Sequence, residues 1–277
     1  MRSKAMRWVR WAFAIILALA VLTYGVMLQQ QYTRYADAST LSIAAATSDD
    51  DVKVDNDRYL IFRPLHTKER LGVIFYPGAY TDVRGYAPTL KMIAAAGYRV
   101  IVVPMPFDLA ILGINRASDV LAANADLQHW AIVGHSVGGT AAAAFANQHR
   151  NSLDGVVIWD SYPPSFASLR DFEKPVWHIH RAKLDGAPPE TFVKQRNLFP
   201  RESRWVPIPG GIHMNFGSFS GGGYQEDWTP EISQTAQHTI VIQSTLQALA
   251  DIERFVRSIQ AEEPHLGELH HEHARMR

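Results

Sequence analysis

Seven short apolar runs punctuate this chain, at residues 58–62, 72–76, 99–103, 130–133, 155–159, 176–179 and 204–208, and several are rich in Val and Ile. Runs of that length, apolar without alternation, are what strands buried on both faces require. The longer segments between them read as helices at 86–96, 118–124, 137–148, 189–198 and 233–260. Strand–helix alternation implies right-handed crossovers and a mostly parallel, doubly wound sheet with helices on both faces. No fixed-period repeat and no shift in composition interrupts residues 52–260, so a single α/β domain is expected there.

The N-terminal stretch obeys a different rule. Arg2, Lys4, Arg7 and Arg10 precede the span 11–28, which contains no charged residue. As a helix that span is about 27 Å long at ~1.5 Å per residue, close to the ~30 Å hydrocarbon core of a bilayer. Trp8, Trp11 and Tyr24 lie near its ends, where amphipathic rings favour the interface. The cations in front place residues 1–10 in the cytoplasm and the rest of the chain outside it, in a periplasmic or extracellular space. A cleaved signal peptide is the competing reading. It has an overlong apolar region, and its nearest small-x-small site, Ala36-Asp37-Ala38, lies well beyond that region. Residues 29–51, small and polar with an acidic end, read as a linker. The tail 261–277 carries His265, His270, His271 and His273 and reads as solvated and disordered.

The 27 basic residues are balanced by 27 acidic ones, so no global charge excess points to nucleic acid. The absence of cysteine excludes disulfides, thiolate metal sites and a cysteine nucleophile. His178 and His180 alternate along one expected strand and face the same way. No third ligand follows at useful spacing, so they read as core residues, and neither metal nor cofactor is expected.

The chemistry centres on residues 131–140, AIVGHSVGGT. The apolar run ends at Gly134, and Val137 opens an alanine-rich helix. This strand–turn–helix context is what a G-x-S-x-G nucleophile elbow needs. Gly134 and Gly138 leave room for Ser136 to take up a sharp, strained turn, and the Val137 amide then lies at a helix N-terminus, where an anion is favoured. Pro77-Gly78-Ala79, after the run 72–76, is placed to aim a second amide at the same oxyanion, from Ala79 or Tyr80. An acid and a histidine should follow, in that order. Asp185, in an Asp-Gly loop after the run 176–179, is the favoured acid, and Asp160, directly after the run 155–159, is its rival. His213, in the glycine-rich loop after the run 204–208, is the expected base.

These motifs resemble the α/β-hydrolase superfamily, and more closely its compact group related to dienelactone hydrolases. The similarity rests on Gly134-His135-Ser136-Val137-Gly138-Gly139, on Phe75-Tyr76-Pro77-Gly78-Ala79, on the Asp185-Gly186 loop, and on Gly210-Gly211-Ile212-His213-Met214-Asn215-Phe216-Gly217. It spans about residues 55–258. It implies the α/β-hydrolase fold, with Ser136 as nucleophile, Asp185 as acid and His213 as base. Ile212, Ala182-Lys183-Leu184 and Asp160 depart from the group's pattern. The implied activity is hydrolysis of a small carboxylic ester through an acyl-enzyme. Lipid or thioester hydrolysis on the same triad, and a non-catalytic binding protein on the same fold, are the alternatives.

Overall fold

The computed structural model describes the backbone of residues 2–275 and the side chains of residues 6–261. The chain begins with α1 (Arg2–Arg34), β1 (Ala36–Ala38) and α2 (Thr40–Ala45). It continues through β2 (Val52–Asn56), β3 (Leu60–Pro64), β4 (Gly72–Tyr76), α3 (Ala87–Ala95), β5 (Arg99–Val102), α4 (Arg116–Ala123) and β6 (Trp130–His135). Then come α5 (Val137–Gln148), β7 (Gly155–Trp159), β8 (Val176–Ala182), α6 (Glu190–Lys194), β9 (Arg204–Pro209), β10 (Phe219–Gly221) and α7 (Gln234–Arg275).

Eight strands form one sheet in the order β2-β3-β5-β4-β6-β7-β8-β9. The first two pairings are antiparallel and the rest parallel. All five residues of β4 are buried, and they divide by parity. Val73 and Phe75 face a core layer with Leu90 of α3 and Leu249 and Ile252 of α7. Ile74 and Tyr76 face the opposite layer with Val120 of α4 and Phe145 of α5. That two-sided burial is why the strand sequences are continuously apolar. Each large side chain so buried contributes about 1.5–3 kcal/mol.

Four expectations change. Residues 36–45 are not linker. β1 pairs antiparallel with β10, Ala36 opposite Gly221, and buried Ser42 donates from Oγ to the Ser218 carbonyl at 2.7 Å. Strand β2 opens the expected domain as an antiparallel edge that no apolar run marked, because the polar alternation of VKVDN hides it from an apolar-run search. Strand β8 runs on to Ala182, three residues beyond the expected end, because β9 pairs with it through Ala182 opposite Pro209. The tail 261–277 continues the helical backbone of α7 to Arg275, and its histidine side chains and residues 276–277 lie outside the described residues.

Helix α1 is apolar over a stretch long enough to cross a membrane, with mean hydropathy 2.3 and none of that stretch buried against the domain. Near its C-terminal end it touches the loop after β5. The Tyr24 and Phe107 rings meet edge-on at 5.9 Å, and Gln31 Nε2 donates to Asp108 Oδ2 at 2.5 Å.

Candidate active site

Parallel strands β4, β6, β7 and β8 all end at the same edge of the sheet, the edge where open α/β folds place their ligands. Strand β6 runs straight into α5, and the one residue between them is Ser136, at φ 55° and ψ −130°. A β-carbon at Gly134 would lie 2.4 Å from the Gly138 carbonyl oxygen, and one at Gly138 would lie 2.2 Å from that of Tyr76. Glycine at both positions lets the turn close against β4, and the Ser136 amide donates to the Trp159 carbonyl at 3.0 Å. Left-handed backbone at a non-glycine residue costs about 1–3 kcal/mol, here held in place by the surrounding sheet.

Ser136 Oγ donates to His213 Nε2 at 3.0 Å, and His213 Nδ1 donates to Asp160 Oδ2 at 2.5 Å. His213 and Asp160 are both buried. The structure therefore brings together Ser136, His213 and Asp160, and places the favoured acid, Asp185, elsewhere. Asp185 is exposed beyond the longer β8, and its carboxylate accepts the Ala187 amide at 2.9 Å in an ordinary Asp-Gly turn. Asp160 directly follows β7 in a left-handed conformation, φ 49°, which points its carboxylate across the strand ends. Aspartate tolerates that conformation better than most residues.

The amides expected to hold an oxyanion are available. Those of Ala79 and Val137 line the cavity and, among the described residues, donate to no protein acceptor, whereas the Tyr80 amide is committed to the Asp108 carbonyl at 2.9 Å. The Gly78 amide donates to the Tyr86 hydroxyl at 3.0 Å, which lies 2.8 Å from His135 Nδ1 and so ties the loop after β4 to the elbow.

Several side chains around Ser136, His213 and Asp160 left no motif in the sequence. Arg181, on the extra length of β8, donates from its backbone to Asp160 Oδ1 at 2.8 Å and from Nη1 to Oδ2, the oxygen that His213 also uses. Its Nη2 reaches Asp227 Oδ2 at 2.5 Å. Burial pushes the Asp160 carboxyl up, but the hydrogen bond to His213 and the His213 and Arg181 charges outweigh it and hold the group well below the usual carboxylate range. Glu226 accepts the backbone amides of His213 at 2.9 Å and Met214 at 2.7 Å. The Tyr224 ring stacks on His213 with centroids 4.2 Å apart. The only sequence signals were an arginine inside an apolar strand and an acidic pair after the glycine-rich stretch.

His178 and His180 stand 4.7 Å apart, ring to ring, and His178 lies among Phe192, Phe199 and Trp205 with neither ring nitrogen hydrogen-bonded. Burial pushes the His178 imidazole well below its usual value, so it is neutral. Among the described residues no three His, Cys, Asp or Glu side chains cluster as a metal site would need.

A family model described as "Alpha/beta hydrolase family" matches residues 72–239. Among solved structures, the chain is similar to a ferulic acid esterase from Streptomyces cinnamoneus, at 19% identity over 70% of this chain and 69% of that one, with a TM-score of 0.52. It is also similar to Est1E from Butyrivibrio proteoclasticus with ferulic acid bound, at 12% identity over 73% and 98%, TM-score 0.52. A malate-bound thermophilic esterase from Thermogutta terrifontis matches at 14% identity over 79% and 99%, TM-score 0.51. At these identities the likeness is one of fold. No curated protein sequence matches the chain.

Proposed function

The chain belongs to the α/β-hydrolase family, and from that premise we propose that it is a serine hydrolase cleaving carboxylic esters through an acyl-enzyme on Ser136. The observation that carries the reading is the continuous relay Ser136–His213–Asp160, facing a cavity with two uncommitted amides. In the first step His213 Nε2 takes the Ser136 proton as Oγ attacks the ester carbonyl. The amides of Ala79 and Val137 receive the developing oxyanion. His213 then gives its proton to the departing alkoxide, and the ester C–O bond breaks. Water, activated by the same imidazole, releases the acid. Asp160 holds His213 in the tautomer with the proton on Nδ1 and stabilises the imidazolium that forms.

The reading extends to location. Helix α1 acts as a retained membrane anchor, because four cations precede its apolar stretch and its C-terminal end continues directly into β1 of the domain. The catalytic domain then lies outside the cytoplasm. The substrate is a small molecule bearing an acyl ester, and the cavity of about 660 Å³ suits one.

A fluorophosphonate probe tests the chemistry. Wild type is expected to be labelled and Ser136→Ala to stay unlabelled. Folded wild-type protein that takes no label refutes the reading. A panel of short and long acyl esters and thioesters then ranks substrate classes, and resistance of the protein to carbonate extraction from membranes tests the anchor.

A further inference from the structure

The cavity beside Ser136 is walled partly by the end of the N-terminal helix. Arg34, the last residue of α1, lines it together with Ala36, Leu109 and Tyr224. The chain there is stitched to both sides of the site. The Ala36 amide donates to the Tyr80 carbonyl at 2.8 Å, the Asp82 amide donates to the Ala36 carbonyl at 2.9 Å, and the Gly223 amide donates to the Arg34 carbonyl at 3.3 Å. The juxtamembrane segment thus runs between the oxyanion loop and the glycine-rich loop that carries Tyr224.

Distances along α1 locate this wall relative to a bilayer. The uncharged span closes at Leu28, and Arg34 lies six residues further, about 9 Å at ~1.5 Å per residue. Phe107 touches Tyr24, which lies four residues inside the span, about 6 Å below its end. Phe107, Ile111 and Leu112 are all exposed, at 41%, 39% and 50%, on one short loop that also supplies Leu109 to the cavity. The helix holds Phe107 at that depth, Ile111 and Leu112 lie exposed on the same loop, and an exposed apolar cluster tethered there suits the leaflet, with the cavity beside it facing the headgroup layer. Arg34 is exposed there and, among the described residues, has no carboxylate partner. A free guanidinium on a short tether at that level recognises anionic headgroups.

We propose that the enzyme acts on acyl esters of anionic lipids in the leaflet its own helix crosses, with Phe107, Ile111 and Leu112 seated in that leaflet and Arg34 receiving the headgroup phosphate. This rests on the serine-hydrolase and anchor readings above. The reaction balances as lipid plus water giving a fatty acid and a lysolipid. Ser136 Oγ bonds to the acyl carbon, the ester C–O bond breaks, the lysolipid alkoxide takes the proton from His213, and water then replaces the serine.

The test uses the full chain reconstituted into vesicles of non-hydrolysable diether phosphatidylcholine, doped with either diacyl phosphatidylglycerol or diacyl phosphatidylcholine. Released fatty acid is the readout, and a water-soluble p-nitrophenyl butyrate assay runs beside it. Wild type is expected to turn over the phosphatidylglycerol at least tenfold faster than the phosphatidylcholine. Arg34→Gln should remove most of that preference. Ile111→Asp combined with Leu112→Asp should lose at least tenfold more rate on both vesicle lipids than on the soluble ester. Hydrolysis of the soluble ester without release of fatty acid from either vesicle overturns the lipid proposal and leaves the hydrolase reading standing. Equal rates on the two lipids, unchanged in Arg34→Gln, overturn the headgroup role. Soluble inorganic phosphate at millimolar concentration should lower the wild-type rate on phosphatidylglycerol towards that of Arg34→Gln and leave the variant's own rate unchanged, which supports Arg34 as the anion site. Inactivity on every ester, with no fluorophosphonate labelling, overturns both readings together.

Discussion

Ser136 and His213 meet at 3.0 Å, but the two sides of that contact are built by different means. On the serine side the support is local backbone. Within a few residues, β6 ends, the elbow turns and α5 begins, and the turn is closed by glycine-to-carbonyl contacts that no side chain makes. On the histidine side the support is remote and made by side chains. The His213 loop is held by Glu226, by the Trp228 indole donating to the Gly211 carbonyl at 2.9 Å, and by Gln237 of α7, which bonds both the amide and the carbonyl of Ile212. The first kind of support is encoded in a contiguous motif. The second requires the 222–233 segment to fold back over the site, so it should be the more easily damaged by single substitutions.

The sharpest way to break the comparison is at Asp160, the carboxylate bonded to His213. Asp160→Asn should lower kcat/KM by about 10⁴, because an amide cannot hold the imidazole in the required tautomer. Asp185→Asn, in its exposed turn, should stay within about twofold of wild type. Steady-state kinetics on one soluble ester decides it, and the opposite ranking would return the acid to the loop after β8.

Arg181 is the next largest lever. It places a buried cation against Asp160 and ties that residue to Asp227 of the folded-back segment. Arg181→Met leaves the Asp160 carboxylate buried with fewer donors, and breaking a buried pair in this way costs about 3–5 kcal/mol of stability. Denaturant unfolding of the variant against wild type measures it. A loss below about 1 kcal/mol would mean the pair is not stabilising the folded state.

What was legible in the sequence follows the same division. Seven apolar runs correspond to seven strands, and the elbow from Gly134 to Gly139 stands where the residues placed it, because both are set by local sequence. The choice between Asp160 and Asp185 was not legible. Both follow strands, and only the pairing of β8 with β9 through Ala182 shows that Asp185 overshoots the site. Arg181, Glu226 and Tyr224 act through contacts with residues 11 or more positions away, and no spacing rule marks them. The segment 36–45 was hidden for a related reason. Its small residues look like a linker until β10, nearly two hundred residues later, arrives to pair with them.

Glu226 sharpens the contrast from the histidine side. Its two oxygens each accept one amide of the His213 loop, so Glu226→Ala frees two donors and lets the imidazole drift. A misplacement of about 1 Å costs on the order of 10² in rate. The loss is expected in kcat more than in KM, and Glu226→Gln, which keeps one acceptor oxygen, should recover part of it. Equal defects in the two variants would argue for a charge effect rather than for positioning.

The smallest expected effect lies beneath the site and concerns stability alone. Burial holds the His178 ring neutral among Phe192, Phe199 and Trp205, and burial together with the His213 charge does the same for His135. In the unfolded chain each imidazole takes up a proton near its ordinary value of about 6.5. Below that pH the unfolded state binds more protons than the folded one, so stability is intact above about 6.5 and falls as the pH falls through it. One such group contributes a loss of up to about 1.4 kcal/mol per pH unit. His178→Phe removes that proton uptake and keeps an aromatic ring in an aromatic nest. Between pH 7.5 and 5.5 its Tm should therefore fall less than that of wild type, by about 4 °C for a domain of this size. The His135 contribution remains in both proteins. Parallel Tm profiles for the two would show that His178 takes up its proton in the folded state as readily as in the unfolded chain.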